Sequence, residues 1–495
     1  MKPLTLCEIN GAIDSDAAAE SAMTRATSGT DGIITRIETD SRNVMPGDLF
    51  VAIKGERFDG HDFLDDAVAR GASACLVDRY HVAPGPAVTL QVENTVTALG
   101  RLSAWYRNNV LNGGPRVVGI TGSNGKTTTK MMLHHVLSRS LMGRCAPKSF
   151  NNEIGVPLTL LSSAPSDDYL IVEIGTNAPG EIDHLSRMVE PDVAVITSIG
   201  SAHLEGLGDL QGIAREKCGL LANTRPEGFA WVNSDEAVVL PELKRFGGRH
   251  LHTFGRRDGA DVRISPPCWD GSGWSFTVVG AGFDDAAGHI ALPGKHHAHN
   301  AVAAAGCATV FGIPAAEGLR RLATFRAVDG RCAVETIGDK TFVNDAYNAN
   351  PSSMTGAIES LAQMPHAPRC VVLGDMLELG AETHERHCDL LRSVTDSKID
   401  VAFLTGRAMR RAWATVTGVA LSESDDEGRA QIAGTDMRFL ADLDALREAV
   451  DRDLPAGSFV WIKGSRLMRL ELLLEGLRDA AGRQDESIAA TTVPK

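Results

Sequence analysis

The sequence predicts an α/β protein of three domains, and three observations support this prediction. A chain of 495 residues is too long for a single hydrophobic core. From Arg116 onward, short apolar, β-branched runs alternate with helix-like segments, which is typical of parallel sheets covered by helices. Breaks fall at Asn112-Gly113-Gly114-Pro115 and near Asp329-Gly330-Arg331. We therefore expect domains at residues 1–113, 114–330 and 331–483, followed by a disordered tail at 484–495.

Each expected domain contains its own strand-like and helix-like runs. The small N-terminal α/β domain has two β-like runs around a helix-like one, the central domain has four strand-like runs, and the C-terminal domain begins a new, Rossmann-like alternation. The strand-like runs are Asp48–Ile53 and Ala74–Val77, then Val117–Thr121, Tyr169–Ile174, Val193–Ile199 and Phe229–Asn233, then Cys370–Leu373 and Phe459–Ile462; Phe63–Arg70 and Asn300–Phe311 are helix-like.

Composition and charge exclude several classes of function. The chain is 43% hydrophobic and 23% charged, as globular enzymes are. Its net charge of −14, without a dense Lys/Arg stripe, argues against nucleic acid or an anionic membrane as a partner. No run approaches the ~18 apolar residues that a membrane span needs. Nine cysteines without a Cys-x-x-Cys pair predict free thiols and a cytoplasmic location.

The segment Gly119–Thr128 is a glycine-rich loop between a predicted strand and a predicted helix. Its glycines let backbone N–H groups approach phosphate oxygens, Lys126 supplies a positive charge, and Thr127 can bind magnesium. The loop departs from the strict G-x-x-x-x-G-K-[ST] pattern at Ile120, so an ordinary glycine-rich turn is the alternative. We expect a P-loop ATPase-like central domain in which the nucleotide is bound by Gly122, Ser123, Asn124, Gly125, Lys126, Thr127 and Thr128.

Three further residues are candidates for the same edge of the central sheet. Glu173 ends one predicted strand, and His203 follows the next. Ligands of open α/β sheets bind beyond the carboxyl ends of the strands, which favours a shared site, although each residue taken alone could be structural. Lys217 falls on the apolar face of a predicted helix, four residues after Ile213 and four before Leu221. A buried ammonium must be paired, neutral or modified; a lysine that snorkels to solvent is the alternative.

These residues belong to a pattern that resembles the Mur ligase family. The resemblance rests on Thr121–Thr128, Ser149-Phe-Asn-Asn-Glu-Ile-Gly-Val-Pro157, Glu173-Ile-Gly-Thr-Asn177, Ala202-His-Leu-Glu-Gly206 and Ile213-Ala-Arg-Glu-Lys217. It extends to Thr39-Asp-Ser-Arg42, Asp59-Gly-His61, Gly294-Lys-His-His-Ala-His-Asn300, Gly330-Arg331 and Asp345-Ala-Tyr-Asn-Ala-Asn-Pro351.

The resemblance implies an ATP-dependent ligase with two Mg²⁺ ions and a carbamoylated lysine. Lys126, Glu173, His203 and Lys217 would be catalytic, and the metal ligands would be Thr127, Glu173, His203 and carbamoylated Lys217. ATP would also contact Asn300, Arg331 and Asp345, and the substrates would contact Ser41, Arg42, Asn151, Asn152, Asp375 and Lys463. The three histidines around Asn300 are unusual for this pattern, and three within four residues cannot all face one ion from a regular element.

The last third resembles the branch of the family that adds D-alanyl-D-alanine to a UDP-N-acetylmuramoyl-tripeptide. Leu373-Gly-Asp-Met-Leu-Glu-Leu-Gly380, His387 and Lys463-Gly-Ser-Arg466 carry this resemblance, although Gly374-Asp375 is also a plain strand-end turn. The resemblance implies small-molecule substrates and a monomer. It leaves open whether the third peptide residue is diaminopimelate or lysine. Two alternatives remain: a folate polyglutamate ligase, against which Asp40-Ser-Arg42 argues, and a nucleotide switch that hydrolyses ATP without an amino acceptor.

Overall fold

The computed structural model describes residues 1–13, 32–246, 250–422 and 425–480. Within these residues it contains three large sheets, of four, ten and seven strands, and a two-stranded ribbon near the N-terminus. The three-domain α/β fold expected from the sequence is therefore confirmed, while the domain boundaries stay predictions. The expected tail at 484–495 lies outside the described residues.

The N-terminal unit is a small parallel sheet with helices against it. Its strands follow in the order β3-β4-β5-β6, and all four residues of β4 are buried because they lie inside the sheet. The elements are β1 Leu4–Thr5, α1 Leu6–Ile13, β2 Ile33–Ile34, β3 Arg36–Glu38, β4 Asp48–Val51, α2 Leu64–Ala69, β5 Ala74–Asp78, β6 Val88–Val92 and α3 Thr95–Asn109.

The middle unit is built on the largest sheet. Its parallel part runs in the order β13-β12-β11-β10-β7-β9-β8, with the strand of the glycine-rich loop near its centre. The elements are β7 Arg116–Thr121, α4 Lys126–Leu137, β8 Gly143–Cys145, α5 Gly155–Ser162, β9 Tyr169–Glu173, α6 Glu181–Val189, β10 Val193–Ile196, α7 Leu204–Leu207, α8 Leu210–Ala222, β11 Phe229–Asn233, α9 Val239–Leu243, β12 His250–Gly255, β13 Val262–Ile264, β14 Cys268–Trp269, β15 Trp274–Gly280, β16 Ala286–Ile290, α10 His297–Thr309 and α11 Ala315–Leu322.

Side chains of the central strands alternate between two hydrophobic cores. Val118 and Ile120 of β7 pack with α4 and α10, whereas Val117 packs in the core that includes α5, α6 and α8. Strands β9 and β10 show the same alternation, because successive residues of a strand point to opposite faces. Helices on both faces leave the carboxyl edge of the sheet as the open side for a ligand.

The predicted strands β7, β9, β10 and β11 are parallel, as expected, but the middle sheet continues into an antiparallel edge that the sequence analysis did not predict. Strand β15 pairs antiparallel with β13, β14 and β16 at one edge. Antiparallel neighbours can be joined by short turns and need no crossover helix, so this edge lacks the strand–helix alternation on which the prediction relied. Strand β10 also ends at Ile196, three residues before the predicted end at Ile199.

The C-terminal unit is a second open sheet, with the order β17-β18-β23-β19-β20-β22-β21. Only its outermost strands pair antiparallel. The elements are β17 Ala333–Ile337, β18 Lys340–Asn344, α12 Pro351–Gln363, β19 Arg369–Leu373, α13 Thr383–Asp396, β20 Val401–Leu404, α14 Arg407–Thr417, β21 Glu427–Ile432, β22 Thr435–Leu440, α15 Leu443–Asp453 and β23 Phe459–Lys463, followed by a helix at 471–480. Among the described residues, none of the helices has the length and apolar character needed to span a bilayer.

Candidate active site

A cavity of about 630 Å³ opens at the carboxyl edge of the middle sheet and is closed on one side by the C-terminal unit. Its walls come from the glycine-rich loop, from the ends of β9 and β10, and from the segments that flank β17 and β18. The predicted site residues that line it are Ser123, Asn124, Gly125, Lys126, Thr127, Thr128, Asn151, Asn152, Glu173, His203, Asn300, Arg331, Asp345 and Lys463.

The glycine-rich loop depends on two glycines for its shape. A Cβ at Gly122 would lie 2.0 Å from the hydroxyl of Thr197, and one at Gly125 would lie 2.4 Å from Oδ1 of Asn300. Gly125 also adopts a φ of +83°, which side chains disfavour, and α4 begins at the next residue. The free N–H groups of this helix start therefore face the cavity with Lys126, whose ammonium donates to the carbonyl of Gly122 at 2.7 Å.

Glu173 is buried at the end of β9 and is held by three side chains. It accepts hydrogen bonds from the hydroxyl of Thr127 at 2.9 Å and the amide of Asn151 at 3.0 Å. The ammonium of Lys130 lies 3.1 Å from Oε2. Burial alone would raise the pKa of Glu173, but the positive charges of Lys130, Lys126 and Arg331 outweigh it and lower the pKa. The carboxylate is therefore ionised at neutral pH.

Lys130 belongs to this site although the sequence analysis did not single it out. Its side chain is fully buried and donates to the carbonyl of Lys148 besides contacting Glu173. The available signal was its spacing, because residues four apart share one face of a helix and Lys130 follows Lys126 by four. An acidic partner on the neighbouring strand could have been inferred from the same reasoning.

His203 reaches the cavity from a strained backbone position. It has a φ of +58° just before α7, and its Nδ1 lies 2.6 Å from Oε2 of Glu378 in the C-terminal unit. This contact lowers the pKa of Glu378. Glu378 also has a positive φ, and no pattern in the sequence indicated this partnership.

Lys217 is buried on α8, as the helical pattern predicts, and only 1% of its surface is exposed. Among the described residues, no hydrogen bond or ion pair holds its ammonium. Burial, assisted by the nearby charge of Lys126, lowers the pKa of Lys217 to about 7. The side chain of Lys217 does not line the cavity, but it is near enough to Lys126 for the charge of Lys126 to affect its pKa. A large fraction of this amine is therefore neutral at physiological pH.

The C-terminal unit contributes a cluster of charged groups to the opposite wall. The guanidinium of Arg331 lies 4.1 Å from the ring centre of Tyr347 and donates to the hydroxyl of Ser149 at 3.1 Å. Lys463 is buried at the end of β23 and donates to Asp345 at 2.8 Å. Sequence reasoning identified Arg331, Asp345 and Lys463, but it did not predict that the last two pair with each other.

Contacts between the two units hold the cavity walls together. The amide of Asn124, in the glycine-rich loop, donates to the hydroxyl of Ser352 at 2.8 Å and accepts from the amide of Asn350 at 2.8 Å. Asn350 is also the N-cap of α12, where its side chain accepts the N–H of Ser353. The start of α12 is thereby fixed against the loop that is expected to bind phosphate.

The remaining predicted residues have other surroundings. Ser41 and Arg42 lie in the N-terminal unit and do not line this cavity; Arg42 forms a two-point ion pair with Asp40 at 2.8 and 2.7 Å. Asp375 is buried, and its carboxylate accepts the N–H groups of Ala408 and Met409 at 3.0 and 2.9 Å. That carboxylate therefore already caps the start of α14. Gly122 and Lys217 lie behind the cavity surface.

The oxygen atoms around Glu173 fit a hard divalent cation. The hydroxyl of Thr127 and the carboxylate of Glu173 lie 2.9 Å apart at the start of a helix, and oxygen ligands of this kind suit Mg²⁺. His203 lines the same cavity. Together with the loop N–H groups and Lys126, these residues can stabilise a polyphosphate.

Comparisons with known proteins agree with this geometry. Three family models match the chain: "Mur ligase family, catalytic domain" at residues 33–107, "Mur ligase middle domain" at 120–308 and "Mur ligase, glutamate ligase domain" at 330–466. The UDP-N-acetylmuramoyl-tripeptide--D-alanyl-D-alanine ligase of Bacillus subtilis is 33% identical over 90% of this chain and 93% of its own.

Solved structures show the same likeness over the whole fold. MurF from Acinetobacter baumannii has a TM-score of 0.82 at 28% identity, covering 97% of this chain and 99% of its own. MurF ligase from Thermotoga maritima, solved in complex with ADP, has a TM-score of 0.77 at 27% identity, covering 91% and 98%. The glycine-rich loop and Glu173 meet in one cavity, three family models match, and a relative is 33% identical over 90% of the chain. This chain therefore belongs to the Mur ligase family.

Proposed function

We propose that this chain is an ATP-dependent ligase that joins D-alanyl-D-alanine to the carboxyl group of a UDP-N-acetylmuramoyl-tripeptide, a step of peptidoglycan synthesis. The observation that carries the proposal is the single cavity in which the glycine-rich loop, Glu173 and the Arg331–Lys463 wall meet. The name of the Bacillus subtilis relative and the ADP bound to the Thermotoga maritima structure support the choice of substrates and nucleotide.

In the proposed reaction, the γ-phosphoryl group of ATP passes to the peptide carboxylate, and the amine of the dipeptide then displaces phosphate from the acyl phosphate. Both steps concentrate negative charge in the cavity. Lys126 and the N–H groups at the start of α4 stabilise that charge, and Arg331 supplies a further cation from the opposite wall. An α-amino group with a pKa of ~8 is partly neutral near pH 7, so the reaction needs no strong general base.

Two Mg²⁺ ions would neutralise the phosphate oxygens; Thr127 and Glu173 would hold one, and His203 with carbamoylated Lys217 the other. The carbamate is a proposal supported by the state of Lys217. A neutral amine adds CO₂ through its lone pair and loses a proton to solvent, and a pKa of about 7 makes the neutral form abundant. The resulting anion replaces a buried cation that lacks a partner among the described residues.

The other predicted contacts are proposals of the same kind. Ser41 and Arg42 would bind the UDP end of the substrate in the N-terminal unit. Asn151 and Asn152 would position the peptide: the first donates to Glu173, and the second accepts the N–H of Gly155 at 2.9 Å. Asn300 and Asp345 would contact the nucleoside, and Asp375 and Lys463 the incoming dipeptide. We further propose that the chain works as a monomer in the cytoplasm.

The test is phosphate release from ATP, with the product identified by mass spectrometry. We expect release only when a UDP-N-acetylmuramoyl-tripeptide and D-alanyl-D-alanine are both present, with a product heavier by one dipeptide less one water. L-alanyl-L-alanine is the matched acceptor control and should give little product. Tripeptide substrates ending in diaminopimelate or lysine, offered in parallel, would decide the third residue.

Two other outcomes would overturn the proposal. Phosphate release with a folate and glutamate would indicate a folate polyglutamate ligase. Release without any amino acceptor, at the same rate, would indicate a switch that hydrolyses ATP. Either result would leave the family assignment intact but would exclude this substrate pair.

A further inference from the structure

His297 has a buried ring nitrogen that nothing in the proposed reaction uses. Its side chain is 2% exposed, and among the described residues its Nε2 has no hydrogen-bond partner. The other nitrogen, Nδ1, lies 3.2 Å from the amide group of Asn300; turning that amide over lets its oxygen accept from the Nδ1–H, which leaves the lone pair of the ring on Nε2. A buried polar atom without a partner costs free energy, so its retention favours a ligand.

Two further donor groups lie beside this nitrogen. The ring centres of His296 and His297 are 4.1 Å apart, and the thiol of Cys332 reaches them from the segment before β17. One ligand atom from each of the three residues falls within 4.8 Å of the other two. All three side chains line the cavity, so an ion can reach them from solvent.

The local backbone makes room for this cluster. A Cβ at Gly294 would lie 2.4 Å from Cε1 of His296, so only glycine there accommodates the ring in its present position. Cys332 has a φ of +59°, a backbone conformation that residues with side chains rarely adopt. His299 is excluded from the cluster because its Nε2 bonds to Asp235 at 2.8 Å.

Two imidazoles and a thiol are ligands for a soft or borderline cation. Zinc binds nitrogen at about 2.0–2.1 Å and sulfur at about 2.3 Å, so tetrahedral ligands lie roughly 3.3–3.7 Å apart and the cluster needs to contract by only about 1 Å. Mg²⁺ prefers oxygen ligands and does not fit this set.

We propose that His296, His297 and Cys332 form a binding site for a thiophilic divalent cation, with Zn²⁺ as the best match. On binding, the S–H bond breaks, the proton goes to solvent, and the sulfur donates its electron pair to the metal; nothing is oxidised or reduced. A fourth position is left for water. The site uses neither Thr127 nor Glu173, although all of these residues line the same cavity, and the proposal does not depend on the proposed function.

The proposal can be tested with Co²⁺, which reports thiolate ligation by a charge-transfer absorption in the near ultraviolet. Co²⁺ is added to the metal-free full-length protein, and we expect this absorption to saturate at about one ion per chain. Zn²⁺ should remove the absorption, whereas a large excess of Mg²⁺ should not. Absence of the absorption in the wild-type protein would overturn the proposal.

Three variants locate the site. Cys332→Ser should lose the charge-transfer absorption, and His297→Asn should weaken Co²⁺ binding by at least about tenfold. The matched control is Cys388→Ser, because the Sγ of Cys388 lies 3.6 Å from Nε2 of His384 in another part of the fold. The control should retain the absorption. If Cys388→Ser abolishes it and Cys332→Ser retains it, the proposed site is wrong. Circular dichroism checks that each variant is folded. If Cys332→Ser does not fold, the loss of Co²⁺ binding in His297→Asn tests the location of the site instead.

Discussion

The middle unit buries Lys130 on α4 and Lys217 on α8, and the two lysines differ in whether a carboxylate lies against the ammonium. Lys130 contacts the carboxylate of Glu173 at 3.1 Å, whereas Lys217 has no ion-pair partner among the residues the structure describes. Burial is nearly complete for both. The comparison teaches that burial alone does not define the role of a lysine. Lys130 lies against Glu173 and lowers the pKa of that carboxyl group, whereas Lys217 lacks such a partner and its own pKa is lowered to about 7, which makes the neutral amine available for chemistry.

We expect the largest loss of activity from replacing Lys126, because its charge lowers the pKa of Glu173, the partner of Lys130, and that of Lys217. Lys126→Ala removes the cation closest to the loop N–H groups, so turnover should fall at least about 10³-fold. It should also raise the pKa of Lys217, because the charge of Lys126 contributes to lowering it. Phosphate release with both substrates measures the first effect. A variant that retains more than a tenth of wild-type turnover would contradict this role.

The next largest effect tests the chemistry proposed for Lys217. Lys217→Ala should reduce turnover by about 10²-fold or more, and added formate or acetate should restore part of it by refilling the metal site with a carboxylate. The matched control is Lys130→Ala, which removes a paired lysine and should not be rescued by these anions. Full activity of Lys217→Ala, or equal rescue of both variants, would refute the carbamate.

Lys130 should matter for stability more than for any single step. Lys130→Met leaves the buried carboxylate of Glu173 without the cation that contacts it. The free energy of unfolding should therefore fall by about 3–5 kcal/mol. Urea unfolding measures this loss. Lys54→Met provides the comparison, because Lys54 is paired with Asp59 but its side chain is 78% exposed, and its loss should change stability by less than about 0.5 kcal/mol. Equal stability of the two variants would show that the Lys130–Glu173 contact is not structural.

Replacing Lys217 should have the opposite effect on stability in CO₂-free buffer: it should raise the free energy of unfolding. The unfolded chain protonates this lysine below its usual pKa of 10.5, but the folded chain does so only below about 7. The wild-type protein therefore loses stability as the pH falls from 10.5 to 7. Lys217→Met avoids this loss and should be more stable at pH 7 by a few kcal/mol, since each pKa unit corresponds to about 1.4 kcal/mol. A difference that does not shrink towards pH 10 would contradict the lowered pKa.

Periodicity explains which of these residues the sequence could predict. The helical spacing around Lys217 was sufficient to place it inside, and strand–loop–helix order was sufficient to place Lys126 and Glu173 at one edge. The antiparallel edge β13–β16 was missed because its turns leave no crossover pattern. The contacts of His203 with Glu378 and of Lys463 with Asp345 join residues more than a hundred positions apart, which no local pattern encodes. The first depends on how two units pack, and the second depends on the strand order of the C-terminal sheet.

We expect the carboxyl edge of the middle sheet to bind the triphosphate of ATP between the loop and Glu173. A crystal structure with Mg²⁺ and a non-hydrolysable ATP analogue tests it most directly. We expect the β- and γ-phosphates against the N–H groups at the start of α4 and the ammonium of Lys126, with an ion between Thr127 and Glu173. Phosphates bound elsewhere, with this edge filled only by water, would contradict the account.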